Sequence, residues 1–267
     1  MIEEEFHLFE KWFTGYVSSF YSEDMFVLRN VKLKERHSLE VCRNASIISG
    51  PEGLDTEERY LAMIIGLFHD IGRFEQITRY RTFRDSESEN HALLGVKILR
   101  SADVLARLPA TLQDLICQAI ANHNIYAIPE TCDNRCLFHS RLVRDADKLD
   151  IFRVLADYYT ERDSSPNPPL DMGLPDIPEY SSRLLGDLFN NRMASTADLR
   201  TCNDMRLARL SWVFDLNFKE SFRLVRKHGY INMIISRLAQ DDKVEDLRIH
   251  IEDYIDSVLA SGSGIRG

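Results

Sequence analysis

Apolar positions along the chain recur at helical spacing, and no stretch alternates in the manner of a strand. Leu61, Ile64, Ile65 and Phe68 fall at i, i+3, i+4 and i+7, as do Leu112, Leu115, Ile116 and Ala119 in TLQDLICQAIANH. The segment RLVRDADKLDIFRVLADYY is apolar enough to predict a nearly buried helix. Pro51, Gly53 and Pro129 mark turns, and Asp55 or Thr56 stands where it can cap the helix that runs into His69. Residues 163–180, which end in PNPPLDMGLPDIPEY, hold five of the eight prolines, which excludes a regular helix and predicts a long ordered loop. Beyond it, RLARLSWVFDLNF and YINMIISRL predict further amphipathic helices. The expected protein is all-α: a helical core over 1–160, a Pro-rich loop over 161–180, a C-terminal helical cap packed on the core over 181–260, and a flexible tail over 261–267.

Composition narrows the class. Of 267 residues 44% are hydrophobic and 28% charged, the balance of an ordinary soluble protein. A net charge of −9 argues against broad nucleic-acid binding but leaves room for a small basic pocket. The N-terminus, MIEEEFHLFEKWF, lacks the charged-then-apolar order of a signal peptide, and the run Leu61 to Phe68 is too short to cross a bilayer. Five cysteines show no paired framework, so reduced thiols and a cytoplasmic location are expected. Cys132, Cys136 and His139 have a loose spacing and no evident fourth ligand, which makes a zinc site there a poor fit.

The histidines carry more. His37 shares a helix face with Val41, Asn44 and Ile48, and His69 follows Ile65 by one turn with Asp70 beside it. His91 opens HALLGVKIL on a face with Leu94, Gly95 and Ile98, and His123 closes the TLQDLICQAIANH helix. Four of the eight histidines thus point inward from four separate helices. One buried imidazole is usually a core residue with a hydrogen bond. Several without partners cost roughly 1–3 kcal/mol each, and a shared metal removes that cost. Carboxylates accompany them in Asp70 and in RDADKLD, where periodicity alone does not choose between Asp145 and Asp147.

With His37 in RHSLEV, His69-Asp70 in LFHDIGR and Asp147 in DADKLD, in this order, the chain resembles the HD-domain metal-dependent phosphohydrolase superfamily over about residues 30–160. The resemblance implies an HD-type helical bundle with additional C-terminal helices. It implies a first metal on His37, His69, Asp70 and Asp147, the family's Ala-Asp-Lys pattern choosing Asp147 over Asp145. For members with two metals it implies a second on His91, in the His-x3-Gly pattern HALLG, and His123. Gly95 suits that pattern, because a missing side chain lets another helix come close.

Such a site implies one or two divalent transition metals (Mn, Fe, Ni, Co or Zn, with Mg open) and hydrolysis of a phosphate ester by metal-activated water. Asp70 is the natural bridge between two ions. The substrate is then a small phosphorylated anion, a nucleotide or another phosphomonoester or diester. Four arginines, 73, 79, 81 and 84, stand against Glu75 and Asp85 between the doublet and His91. Arg73 and Lys148 are the candidates, with Asp70, for catalysis, and Arg73, Arg79, Arg81 and Lys148 for substrate binding, while Arg84 reads as surface charge. The segment NIYAIPETCDN after His123 lacks the signature of cyclic-dinucleotide phosphodiesterases, and IGRFEQ lacks the acidic pair of guanosine-tetraphosphate hydrolases. Two other readings share the site: a mixed-valence diiron oxygenase, with the same four His and two Asp, and a non-catalytic ligand-sensing module. Helical enzymes of this size often pair, which leaves a homodimer open.

Overall fold

A computed structural model of the chain describes residues 2–162, 164–195, 197 and 199–261. The protein is all-α, with no strand among the described residues. It divides into two compact units, the division falling after Asp150. The expected tail lies outside the described residues except for Ser261. No helix among the described residues is long and apolar enough to cross a membrane.

The first unit begins with α1 (Ile2–Ser18), whose Phe6, Phe9, Phe13 and Val17 form one buried stripe. Next come α2 (Met25–Ser49), capped by Asp24, and α3 (Thr56–Phe68), where Asp55 rather than Thr56 caps by accepting from the Glu58 N–H at 2.9 Å. Helix α3 packs on α2 and α1, so the predicted stripe Leu61, Ile64, Ile65 and Phe68 is fully buried.

The arginine-bearing run after the doublet is largely helical: α4 (Gly72–Tyr80) starts almost at once and ends on Arg81 in the left-handed region (φ 56°). A short 3₁₀ turn at Asp85–Glu87 leads to α5 (His91–Ser101), capped by Asn90, then to α6 (Ala110–Asn122) and to α7 (Asn134–Glu161). Helix α4 lies on α5, and α6 on α5 and α3. The α4–α5 approach is unusually close. A Cβ on Gly72 would stand 2.2 Å from the His91 carbonyl oxygen and 2.8 Å from the Gly95 nitrogen. Across the same contact, a Cβ on Gly95 would meet Gly72 N at 3.4 Å.

In the second unit the Pro-rich segment folds around α8 (Pro168–Asp171), whose buried Asp171 accepts from the Tyr158 hydroxyl at 2.7 Å. There follow α9 (Ser182–Phe189), α10 (Cys202–Leu210), α11 (Lys219–His228), α12 (Tyr230–Ile235) and α13 (Asp242–Ala260). Helix α10 packs on α9 and α12, and α13 on α9, α11 and α12.

Candidate metal centre

Helix ends position most of this site. His69 is the C-cap of α3, His91 the first residue of α5 and His123 the C-cap of α6, while His37 and Asp147 project from within α2 and α7. All four histidines and Asp70 are buried, and Asp147 is partly so. The six side chains named from the sequence lie in one cluster.

Its geometry has two halves joined by one carboxylate. Asp70 Oδ2 lies 3.4 Å from His37 Nε2 and 3.5 Å from His69 Nε2. Its other oxygen, Oδ1, lies 3.3 Å from His91 Nε2 and 3.7 Å from His123 Nε2. Asp147 Oδ1 joins the first half, 3.1 Å from His37 Nε2 and 3.6 Å from His69 Nε2. It is buried there without a hydrogen bond. Donors at about 2.1 Å from an ion are separated by about 3.0–3.4 Å along octahedral or tetrahedral edges; three of these separations fall in that range and the other three exceed it by 0.1–0.3 Å. Three groups of ligand atoms each close enough to share an ion arise here: His37–His69–Asp70, His69–His123–Asp147 and Asp70–His91–His123.

The far side of each ring fixes which nitrogen faces the cluster. His69 Nδ1 donates to the Gly66 carbonyl at 2.8 Å, and His123 Nδ1 to the Ile120 carbonyl at 2.6 Å. A carbonyl can only accept, so in the neutral ring the proton is on Nδ1 and Nε2 presents its lone pair. His37 Nδ1 is held by Asp150 Oδ2 at 2.7 Å, and His91 Nδ1 by Asp85 at 2.8 Å to Oδ2. Neighbouring Nε2 atoms then stand 3.2 Å apart for His37 and His69, and 3.0 Å apart for His91 and His123.

Electrostatics sharpen this contrast. Burial, helped by the Arg73 charge, pushes the His91 pKa down to about 3, so that ring is neutral near pH 7. His91 in turn outweighs the burial of Asp85 and brings its carboxyl down to about 2. The neutral His91 ring, its Nδ1 engaged by Asp85, thus turns the lone pair of Nε2 toward His123 Nε2 and Asp70 Oδ1, a position suited to a cation. Burial and Lys34 oppose a charge on His37, but Asp147, Asp150 and Asp70 outweigh them and push it up to about 10. There a proton and a metal compete for one nitrogen. Burial lowers His69, while Lys34 and His69 overcome burial at Asp70 and hold its carboxyl well below the usual range.

These shifts set a pH profile for the metal-free protein. His37, raised from 6.5, contributes stability that is complete below 6.5 and lost as pH rises through about 10. His91, lowered from 6.5, contributes stability present above 6.5 and lost as pH falls toward about 3. Thermal melts of metal-free protein should therefore peak near neutrality. His37→Gln should flatten the alkaline limb and His91→Gln the acid limb.

The predicted cations divide. Arg73 lies against the cluster: its Nη1 donates to Gln76 Oε1 and the Phe83 carbonyl at 2.7 Å, and its Nε is 3.4 Å from Asp70 Oδ1. Arg79 and Arg81 are exposed and occupied by Glu75 at 2.6 Å and Asp24 at 2.5 Å. Lys148 is buried and reaches back to the Arg144 carbonyl at 3.5 Å. The lysine on the doublet is Lys34, whose Nζ lies 2.6 Å from Asp70 Oδ2.

Lys34, Asp85 and Asp150 escaped the sequence reading. The first lies one turn before His37 and the last one turn after Asp147, so helical spacing placed both within reach. Nothing local in RTFRD marks Asp85. Asp150→Ala should weaken metal binding about 10–100-fold, and Asp150→Asn less, because its amide oxygen still accepts from His37 Nδ1; calorimetric metal titration of each variant checks this. Elsewhere, Cys132, Cys136 and His139 form no metal-sized group among the described residues, and His139 Nε2 is 2.5 Å from Glu58.

Comparison with known proteins gave one match, between the sequence model of the HD domain and residues 35–161. No curated protein and no solved structure matched the chain.

Proposed function

We propose, from the match of residues 35–161 to the HD domain and from the geometry of the cluster, that it holds two divalent metal ions and hydrolyses a small phosphate ester. The observation that carries the reading is the division of Asp70, one oxygen toward His37 and His69 and the other toward His91 and His123. His37, His69 and Asp147 complete the first site, and His91 and His123 the second. Bound ions would supply a water of lowered pKa and neutralise charge on the phosphoryl oxygens.

The chain's own groups do the rest. Asp150, Asp85 and the two helix-end carbonyls engage every Nδ1, so each Nε2 faces the cluster without a rotation or tautomer change. Lys34 and Arg73 bring positive charge to the edge of the cluster, where an anionic ester must bind. Arg73 is held for that task by Gln76 and Phe83, and Gln76 itself donates to Asp85 at 2.9 Å. We assign the phosphate contacts to Lys34 and Arg73, with Arg79 and Arg81 engaged at the surface.

A screen of phosphate esters with Mn, Ni, Co, Mg and Zn tests the reading. Metal-dependent phosphate release is expected. Oxygen-consuming turnover with bound iron and no phosphate release would overturn it. Arg73→Ala should raise KM and lower kcat/KM by roughly 10–100-fold without removing metal, as loss of a charged hydrogen bond to substrate predicts; steady-state kinetics beside metal analysis checks this.

A further inference from the structure

The second unit contains a cavity of about 370 Å³ lined in part by Tyr159, Arg162, Asp176, Asn203, Arg206 and Arg237. None of these residues belongs to the His/Asp cluster. The acceptors in this wall are already used. Asp176 Oδ1 accepts from Arg206 Nη1 at 3.1 Å, and its Oδ2 accepts from Arg162. Asn203 gives its amide N–H groups to the Ile177 and Pro178 carbonyls at 3.0 and 2.9 Å, and its oxygen accepts from Arg206 Nη1 at 2.6 Å.

The donors are not used up. Arg206, 5% exposed, engages these partners through Nη1 alone, and its buried Nε has no hydrogen-bond partner. Its Nε–Nη2 edge, the fork that grips an oxyanion in two parallel bonds, is thus left without an acceptor among the described residues. The same guanidinium lies over the Tyr159 ring, 5.2 Å from its centroid, and the Tyr159 hydroxyl is buried without a hydrogen bond. Arg237 is exposed and pairs with no carboxylate among the described residues.

A wall rich in donors and poor in acceptors selects an anion. Three arginines stand against Asp176 and against Asp171, which pairs with Arg162 Nε at 3.0 Å, and the remaining surplus of one positive charge beside the open fork of Arg206 suits the tetrahedral oxyanion of a phosphomonoester. Ile177 and Leu238 add an apolar flank, and the cavity has room for more than the phosphoryl group. We propose that this cavity binds a small organic phosphomonoester, its phosphoryl group held by the Nε–Nη2 edge of Arg206, by Arg237 and by the Tyr159 hydroxyl. The site is independent of the chemistry at the His/Asp cluster.

Calorimetric titration with phenylphosphonate, a dianion that cannot be hydrolysed, tests the assignment on the full chain. Saturable binding is expected in the native protein and in Asp70→Ala alike, with benzoate binding more weakly. Arg206→Gln should abolish it, and Arg237→Gln should weaken it about tenfold, the effect of one lost charged hydrogen bond. Arg237 is exposed, so its variant should keep the native melting temperature and decides the matter even if Arg206→Gln fails to fold. The proposal is overturned by absence of saturable binding, by unchanged affinity in Arg237→Gln, or by binding that Asp70→Ala removes and Arg237→Gln does not.

Discussion

Asp70→Ala should leave the protein without bound metal and lower any metal-dependent turnover at least about a thousandfold. Asp70 turns one oxygen to each histidine pair, at 3.4 and 3.5 Å on one side and 3.3 and 3.7 Å on the other. Its removal takes one ligand from both proposed sites at once and leaves two imidazoles in the second. It also leaves Lys34, now 2.6 Å from Asp70 Oδ2, beside the imidazoles with its nearest counter-charge gone. The alanine variant can therefore lose stability as well as metal. Asp70→Asn separates the two effects, because the amide keeps the shape and one acceptor but cannot serve two cations as a carboxylate does. Metal content by elemental analysis and the melting temperature of both variants read this out. Full metal occupancy in Asp70→Ala would remove the bridge from the account.

Gly72→Ala is expected to be the most damaging single methyl in the first unit. The added carbon would stand 2.2 Å from the His91 carbonyl oxygen and 2.8 Å from the Gly95 nitrogen, both backbone atoms. No rotamer change relieves such a clash, so α4 and α5 must separate. Overpacking of this kind costs about 3 kcal/mol or more. The damage reaches the site directly, because the contact lies between Asp70, two residues before Gly72, and His91, the first residue of α5. Thermal melts should show the loss of stability. In any folded fraction, metal binding should weaken more through His91 and His123 than through His37 and His69. A Gly72→Ala protein with native stability would contradict the packing described here.

The helical architecture was legible because its signals are local. The stripe Leu61, Ile64, Ile65 and Phe68 and the cap at Asp55 are read from neighbours within two turns, and α3 follows them. The gathering of His37, His69, His91 and His123 was legible for a related reason: each occupies an inward position at a helix end or on an apolar face, and the family pattern supplied the order. What surrounds them was harder to read. Asp85 meets His91 only because the 3₁₀ turn at Asp85–Glu87 brings it across six residues, and no periodicity announces that contact.

Lys34 presents the opposite case. Its spacing from His37 made it readable, yet an exposed lysine and one lying on a buried aspartate look alike in sequence. The arginines show the same limit. Arg73, Arg79 and Arg81 form one charge run, but the turns of α4 send the first to Asp70 and give the others to Glu75 and Asp24. The cavity around Arg206 lay beyond sequence reasoning altogether, since its wall joins the end of α7, the Pro-rich segment, α10 and the turn after α12.

Anomalous diffraction from crystals of the intact protein grown with manganese locates any ions among the six side chains. Two peaks about 3.5–4 Å apart are expected, one within reach of His37, His69 and Asp147, the other within reach of His91 and His123, with Asp70 between them. Manganese found elsewhere in the molecule, with no peak among these six side chains, would contradict this arrangement.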